Sequence, residues 1–477
     1  MNEYKKFLKS KRIASASTGF AVKKEALNPM LFDWQKDIVV WALKKGKAAL
    51  FEDCGLGKTI QQLEWATQVF LKTGKPILIL APLAVAEQTK REGEKFGIKT
   101  AVVSESKDIV SGINITNYEK LEHFDCSVFG GVVLDESSIL KAFDGKTKQF
   151  IIESFATTPY KLSCTATPSP NDFMELGNQS EFLNVMSRTE MLATFFVHDG
   201  GDTAHWRLKG HAETKFWEWV ASWAVVLSNP ADLGYDGKDF VLPKLNMEQV
   251  IVKTKDGCHD GDQVTFMAGV AQTLLDRREA RRDSLPERCA AAKELIKTEP
   301  NEQWLFWVDL NSEADELKRI IKGAVEVRGS DNPKWKVDQL NGFTKGDVKI
   351  LVSKPSIAGF GLNWQGCHNM VFVGLSDSYE MLYQAIRRCW RFGQTSEVNC
   401  YIVTSEQEGA VKQNIERKEK QAAQMQAEMI KFTKKILEKE IRGTSRETIP
   451  YNPQIKMKVP NWCKEEREIE KQWLKRA

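Results

Sequence analysis

Short apolar runs alternate with amphipathic stretches along most of the chain. Between Leu31 and Thr167 the apolar runs are AALFED, PILILAP, INIT, GVVLDE and YKLSCTAT, and from about Leu285 the rhythm returns with WLFWVD, AVEVRG, KILVS, NMVFVG and NCYIV. Continuous apolar strands of this kind are typical of parallel sheets covered by helices on both faces. The pattern therefore predicts two doubly wound α/β lobes in tandem, which would bind ligands at the carboxyl ends of their strands.

The region between the two lobes has a different pattern. Phe216, Trp219, Val220 and Trp223 recur at the spacing of one helix face, and this spacing favours packing in a core over stacking on nucleic-acid bases. We predict five segments: an N-terminal extension (1–27), a first lobe (28–189), a partly helical connecting segment (190–284), a second lobe (285–408) and a basic helical tail (409–477).

Composition and charge narrow the class of protein only a little. The 477 residues are 42% hydrophobic and 28% charged, as expected of a soluble globular protein with two or three domains. The net charge of +4 permits a nucleic-acid partner without demanding one. Between Val411 and Ser445 nine Lys or Arg accompany five Asp or Glu, which fits a solvated helix and a phosphate-tracking helix equally well.

The apolar runs and the cysteines indicate the cellular compartment in which we expect the protein. No run is long enough to span a bilayer, and the start MNEYKKFLKSKR leads into no hydrophobic signal core. We therefore expect a cytoplasmic protein, in the host cytoplasm if its origin is viral. The nine scattered cysteines form no CxxC pair and are expected to be reduced thiols.

The segment EDCGLGKT has the context that a phosphate-binding loop requires. It follows the apolar run AALF and precedes the helical stretch TIQQLEWATQVFL. Glycines let backbone amides approach phosphates, and the helix N-terminus adds the positive end of its dipole. Lys58 would reach the β- and γ-phosphates of ATP, and the Thr59 hydroxyl would ligate Mg²⁺. The predicted nucleotide contacts are Gly55, Leu56, Gly57, Lys58 and Thr59.

A second acidic element supports this prediction. The apolar run VVL ends in Asp135 and Glu136. A carboxylate at a strand end beside a phosphate loop can hold Mg²⁺, and a second one can orient or deprotonate the attacking water. We assign Asp135 to the metal and Glu136 to the water.

These motifs resemble the Swi/Snf-type branch of the superfamily-two helicases and translocases, whose phosphate loop reads acid-acid-x-Gly-x-Gly-Lys-Thr. The general phosphate-loop pattern has a glycine where this chain has Glu52, and the resemblance accounts for that acid. It also implies two RecA-like lobes, adenine contact by Gln35, and DNA contact by the Pro82-Leu83 turn and by Thr116 and Tyr118.

The second half of the chain extends the resemblance. AGFGLN is similar to the glycine-rich element that touches DNA and nucleotide, which implies DNA contact by Gly359 and Asn363 and nucleotide contact by Gly361. QAIRRCWRFGQ closely resembles the arginine-finger motif. Gln384, Arg388 and Arg391 recur at i, i+4 and i+7, so we predict that they share one face of one helix and stabilise the transition state of ATP hydrolysis.

The resemblance implies an ATP-driven motor that translocates on double-stranded DNA, of a compact bacterial, phage or plasmid type. Ser137 and Ser138 depart from the family, which has Ala or Gly and then His or Asp after the acidic pair. Two alternatives therefore stay open. One is an ATP-gated DNA clamp with weak hydrolysis, and the other is the motor subunit of a restriction or repair complex.

Overall fold

A computed structural model describes most of the chain. The described residues are 15–82, 85–141, 145–169, 172–199, 202–253, 281–358, 362–374, 378–406 and 409–442. Residues 15–442 that are described fall within one compact unit of the chain, Met1–Arg442.

Seven parallel strands form the sheet of the first lobe. Side by side, they are β3 (Thr100–Val102), β4 (Ile113–Asn117), β2 (Ile77–Ala81), β5 (Gly131–Asp135), β6 (Tyr160–Cys164), β1 (Lys47–Glu52) and β9 (Ala224–Leu227). The central strands are buried along almost their whole length, as their continuous Val, Ile and Leu runs predict. The α-helices of this lobe are α1 (Asp33–Lys45), α2 (Lys58–Thr73), α3 (Ala86–Lys95), α4 (Lys146–Ser154), α5 (Leu176–Phe182), α6 (Arg188–Phe195) and α7 (Glu213–Ala221).

Six parallel strands form the sheet of the second lobe. They lie in the order β10 (Leu245–Val252), β15 (Val398–Ser405), β14 (Asn369–Phe372), β11 (Trp304–Trp307), β13 (Ile350–Ser353) and β12 (Ala324–Val327). The helices are α8 (Leu285–Leu295), α9 (Asn311–Ile320), α10 (Pro333–Lys345), α11 (Pro355–Ala358) and α12 (Tyr379–Ile386). Two parallel-sheet α/β lobes in tandem confirm the predicted fold class.

The predicted connecting segment, 190–284, is divided between the two lobes. Strand β9 pairs with β1 at the edge of the first sheet, and β10 pairs with β15 at the edge of the second. Between α6 and α7, β7 (Phe196–Asp199) and β8 (Asp202–Leu208) form an antiparallel pair. The boundary that we predicted at residue 189 is therefore too early, because the backbone hydrogen bonds of β9 extend the first lobe to Leu227.

The aromatic face of this segment lies in the core of the first lobe. Phe216, Trp219, Val220 and Trp223 are each at most 1% exposed. Phe216 packs edge-on against Phe195, with 5.4 Å between ring centroids. Core packing, the favoured prediction, is confirmed, and these rings are not available to stack on bases.

The last described element is a single helix of 34 residues, α13 (Gly409–Arg442). It follows β15 of the second lobe and packs against α7 and β9 of the first. Phe432 stacks on Trp217 at 5.8 Å, and Met429 and Leu437 are buried. The helix predicted here is confirmed, but part of it is packed on the first lobe and is not solvated. Residues 443–477 of the predicted tail lie outside the described residues.

Within the described part of the chain, no helix combines the length and apolar character needed to cross a membrane.

Candidate functional site

The phosphate-binding loop lies between β1 and α2. Gly55 and Gly57 have φ angles of +91° and +76°, a conformation that a residue with a Cβ rarely adopts. A Cβ at Gly57 would also lie 2.5 Å from the Gln35 side-chain nitrogen. Lys58 Nζ donates to the carbonyl oxygens of Glu52 at 2.8 Å and Asp53 at 3.1 Å, so the ammonium group is held across the loop.

Glu52 lies beneath this loop and is completely buried. Burial raises its pKa to about 7, against the opposing effects of Lys58 and of a hydrogen bond from Gln61 Nε2 at 2.7 Å. Because Gln61 lies on the first turn of α2, this bond ties the end of β1 to the helix that the loop precedes.

Asp135 is the last residue of β5 and Glu136 follows it, two strands away from the strand that precedes the loop. Asp135 accepts a hydrogen bond from Gln62 Nε2 at 2.8 Å, and burial raises its pKa. Glu136 has a φ of +54°, which is uncommon for a residue other than glycine and marks a constrained turn. Burial and the adjacent Asp135 raise the pKa of Glu136 to about 7, near the value that suits a general base.

The second lobe supplies the cationic side of the site. Gln384 lies on α12, but that helix ends at Ile386, so the prediction that Arg388 and Arg391 share its face is wrong. The Arg388 carbonyl accepts from the Trp364 amide at 2.9 Å, a tertiary contact made where the helix has given way to turns. The two arginines converge nonetheless, because both donate to the Leu362 carbonyl, at 3.2 and 3.3 Å.

Both lobes line one cavity of about 470 Å³, within the usual range for small-molecule sites. Gln384 does not line this cavity, but it contacts a residue that does: Gln384 Oε1 accepts a hydrogen bond from Arg388 Nη2 at 3.0 Å. The sequence-predicted residues that line the cavity are Gln35, Gly55, Leu56, Gly57, Lys58, Thr59, Asp135, Glu136, Asn363, Arg388 and Arg391.

The donors around this cavity suit an anionic ligand. Burial, followed by the neighbouring Arg388, lowers the pKa of Arg391 to about 10. Among the described residues, Arg391 Nε and Asn363 Oδ1 are buried and have no hydrogen-bond partner. A polyphosphate between Lys58 and the two arginines would compensate these buried cations. Gln35 Nε2, 2.9 Å from the Leu56 carbonyl, lies where a base could be contacted.

Thr59 and Asp135 line the same cavity and could contribute ligands to Mg²⁺. No group of three or more His, Cys, Asp or Glu in the described ranges could hold a metal ion without other ligands. Mg²⁺ is commonly held by one or two protein oxygens together with substrate phosphates, and these two residues fit that arrangement.

The residues that we predicted to contact DNA have other positions. Thr116 is buried and donates to the Val103 carbonyl at 2.8 Å, and the buried Tyr118 donates to the Asp135 carbonyl at 2.6 Å. Both side chains form hydrogen bonds inside the first lobe, Tyr118 to the residue that begins the acidic pair. This geometry does not support their assignment to DNA. Asn363 lines the cavity between the lobes, and Pro82 is half-buried. Leu83, Gly359 and Gly361 lie outside the described residues.

Three aromatic rings at the cavity were not identified from the sequence. Phe240 stacks on Phe392 at 4.8 Å and packs edge-on against Phe32 at 5.5 Å. Phe240 comes from the segment between β9 and β10, Phe392 from the second lobe and Phe32 from the first. No local pattern connects the three, so only the tertiary structure could bring them together.

A phosphate loop and an acidic pair on one α/β lobe, opposite an arginine pair on a second, define a two-lobed P-loop protein. Residues 287–393 match the family model "Helicase conserved C-terminal domain". Human DNA annealing helicase and endonuclease ZRANB3 is 21% identical over 418 residues, which is 80% of this chain and 38% of that protein.

Two chromatin-remodelling factors match shorter parts of the chain. CHD3-type chromatin-remodeling factor CHR7 of Arabidopsis thaliana is 27% identical over 184 residues, 34% of this chain and 14% of that protein. Chromatin remodeling factor mit1 of Schizosaccharomyces pombe is 28% identical over 160 residues, 29% of this chain and 11% of that protein. The chain thus spans well under half the length of these relatives. In its fold and in these segments the chain is similar to Swi/Snf-type proteins of helicase superfamily two.

Proposed function

We propose that this protein hydrolyses ATP between its two lobes and uses the cycle to translocate on double-stranded DNA. One observation carries the proposal: the phosphate loop and acidic pair of the first lobe line the same cavity as Arg388 and Arg391 of the second. Hydrolysis of ATP requires positive charge to be placed around the phosphates in the transition state, and here both lobes contribute cations to one cavity.

The residues that we predicted from the sequence have separate roles in this proposal. Lys58 would bind the β- and γ-phosphates, and Gln35 would contact the adenine. Glu136, whose raised pKa suits proton transfer, would orient or deprotonate the water. Arg391 would stabilise the transferring phosphate, while Gln384 holds Arg388 beside it. Mg²⁺, held with the help of Thr59 and Asp135, would neutralise phosphate charge when bound.

The names of the relatives support DNA as the partner, since one is a DNA annealing helicase and two are chromatin-remodelling factors. The Swi/Snf-type resemblance supports tracking along intact duplex with little strand separation. Binding would rest on many phosphate contacts, and its affinity should then fall steeply with salt because counterions are released.

The decisive experiment measures ATP hydrolysis in separate titrations with duplex DNA, single-stranded DNA and RNA. We expect duplex DNA to stimulate turnover most, and we expect displacement of a triplex-forming strand without processive unwinding of a forked duplex. Stimulation by RNA alone, or processive unwinding, would contradict the duplex-translocation proposal. Tight ATP-dependent DNA binding without stimulated hydrolysis would favour the ATP-gated clamp.

A further inference from the structure

The phosphate loop is joined directly to the second lobe by a partly buried contact. Asp53, which begins the loop, forms an ion pair with Arg387 and accepts a hydrogen bond from the Tyr383 hydroxyl. Asp53 Oδ1 also accepts from the Cys54 amide at 2.7 Å, so the carboxylate is fixed on its own loop as well. We call this set of three side chains, Asp53, Tyr383 and Arg387, the cross-lobe latch.

The arginine of the latch is held rigidly on the second lobe. Its guanidinium carbon lies 5.4 Å from the centre of the Tyr383 ring and 4.8 Å from the centre of the Trp390 ring. Arg387 Nη1 donates to the Trp390 carbonyl at 3.2 Å, and the side chain is only 2% exposed. Trp390 is itself fixed by a bond from its indole nitrogen to the Pro243 carbonyl at 2.7 Å. These contacts leave the Arg387 guanidinium group little freedom to move and pair with a different carboxylate.

The latch lies on the opposite side of the loop from the catalytic arginines. Asp53, Tyr383, Arg387 and Trp390 line a second cavity, whereas Arg388 and Arg391 line the cavity that contains Lys58. Arg387 is adjacent in sequence to Arg388, yet it lines the second cavity and not the one that contains Lys58. The ion pair with Asp53 therefore holds the Arg387 side chain apart from those of Arg388 and Arg391.

We propose that the cross-lobe latch is a positioning device that sets the distance between the turn carrying Arg388 and Arg391 and the loop carrying Lys58. Its expected effect on turnover rests on the proposed ATP hydrolysis. Its effect on the separation of the lobes does not, because that separation can be measured without nucleotide. A buried, geometrically constrained ion pair suits such a role because its attraction depends steeply on correct placement.

The test is a double-mutant cycle with Asp53→Asn and Arg387→Gln, two substitutions that remove charge with little change of size. Arg319→Gln is the matched control, since Arg319 pairs with Glu316 on the exposed surface of the second lobe. Energy transfer between dyes at the exposed Glu122 and Lys297 reports the separation of the lobes, and melting temperature reports folding.

We expect either substitution to open the lobes and to lower kcat about tenfold, with KM for ATP within about twofold, a typical coupling between two sites. The double variant should match the single variants, since each removes the same contact, and Arg387→Lys should recover part of kcat and of the closed separation. Fully additive losses, or variants whose lobe separation equals that of the parent, would overturn the proposal. A parent protein that does not hydrolyse ATP would refute the proposed function, and the dye measurement would still decide for or against the latch.

Should a variant unfold, the cycle can be repeated at Tyr383 with Tyr383→Phe, which removes only the hydroxyl that donates to Asp53. A folded Tyr383→Phe protein with more open lobes supports the latch, and one with unchanged separation and unchanged kcat overturns it.

Discussion

The two lobes share one architecture but present opposite charges to each other. In the first lobe the acidic residues lie at or just after the ends of strands, whereas in the second the arginines lie between α12 and the start of β15. The first lobe places Glu52, Asp135 and Glu136 near Lys58, and desolvation raises the pKa of each carboxyl group. The second lobe places Arg387, Arg388 and Arg391 in two successive turns after α12. Each lobe alone therefore has a cluster of like charges, acidic in the first lobe and basic in the second. Residues of the same lobe neutralise each cluster only in part.

This difference shows why the candidate site belongs to neither lobe by itself. In the proposed function Lys58 and Thr59 of the first lobe would serve phosphate and metal, whereas Arg388 and Arg391 on the same cavity come from the opposite lobe. Any change in the approach of the lobes alters the electrostatics of the cavity directly, because Coulomb energies in a partly desolvated site depend strongly on distance. Substitutions at three positions test these assignments, in order of decreasing expected effect.

Replacing Lys58 with alanine tests the phosphate side. We expect hydrolysis to fall at least about a thousandfold, because the variant lacks the charge that would contact the β- and γ-phosphates in the proposed function. DNA binding should remain largely intact, since it would rest on backbone contacts spread over the chain. Turnover and DNA affinity measured on the same preparation check this expectation. Joint loss of both, with a normal melting temperature, would mean that the roles are not divided as proposed.

Replacing Arg391 tests the contribution of the second lobe to the cavity. Arg391→Ala should lower kcat about a thousandfold with only a modest change in ATP affinity. Arg391→Lys should remain severely impaired, because one mobile point charge does not replace a planar fork that holds two phosphate oxygens. DNA-stimulated turnover, ATP affinity and melting temperature are the measurements. A lower melting temperature for the alanine variant together with near-normal activity of the lysine variant would show that Arg391 merely supports the second lobe.

Replacing Tyr118 with phenylalanine has the smallest expected effect and tests the burial of a residue that we first assigned to DNA. The change removes the hydrogen bond to the Asp135 carbonyl, which should lower the free energy of unfolding by about 1 kcal/mol. DNA affinity should stay the same. Chemical denaturation and a DNA-binding titration measure the two effects. Weaker DNA binding with unchanged stability would restore the DNA assignment.

The sequence was informative where a residue's role depends on its immediate neighbours. The alternating apolar runs correctly predicted two parallel-sheet lobes, because strands buried on both faces must be apolar throughout. The phosphate loop was recognisable since Gly55 and Gly57 have backbone angles that favour glycine, within a few residues of Lys58. The helical spacing of Phe216, Trp219 and Trp223 correctly predicted core packing, although α7 ends at Ala221 and Trp223 lies just beyond it.

The end of a helix and the hydrogen-bond partner of a side chain depended on tertiary contacts, which no local sequence pattern predicts. The spacing of Gln384, Arg388 and Arg391 predicted a continuous helix, yet α12 ends at Ile386 and the Arg388 carbonyl accepts from Trp364. The DNA assignment of Tyr118 came from family resemblance, and its hydroxyl instead bonds within the lobe.

By itself, then, the sequence determined which segments are strands, which loop could bind phosphate and which residues carry the charges. Only the tertiary structure decided that Asp53 pairs with Arg387 and accepts from Tyr383, 330 residues further along the chain. It also decided that β9 completes the first sheet and that α13 packs back onto the first lobe. The physical reason is the range of the interactions: periodicity and backbone preference act over a few residues, whereas ion pairing and burial depend on which distant segments the fold brings together.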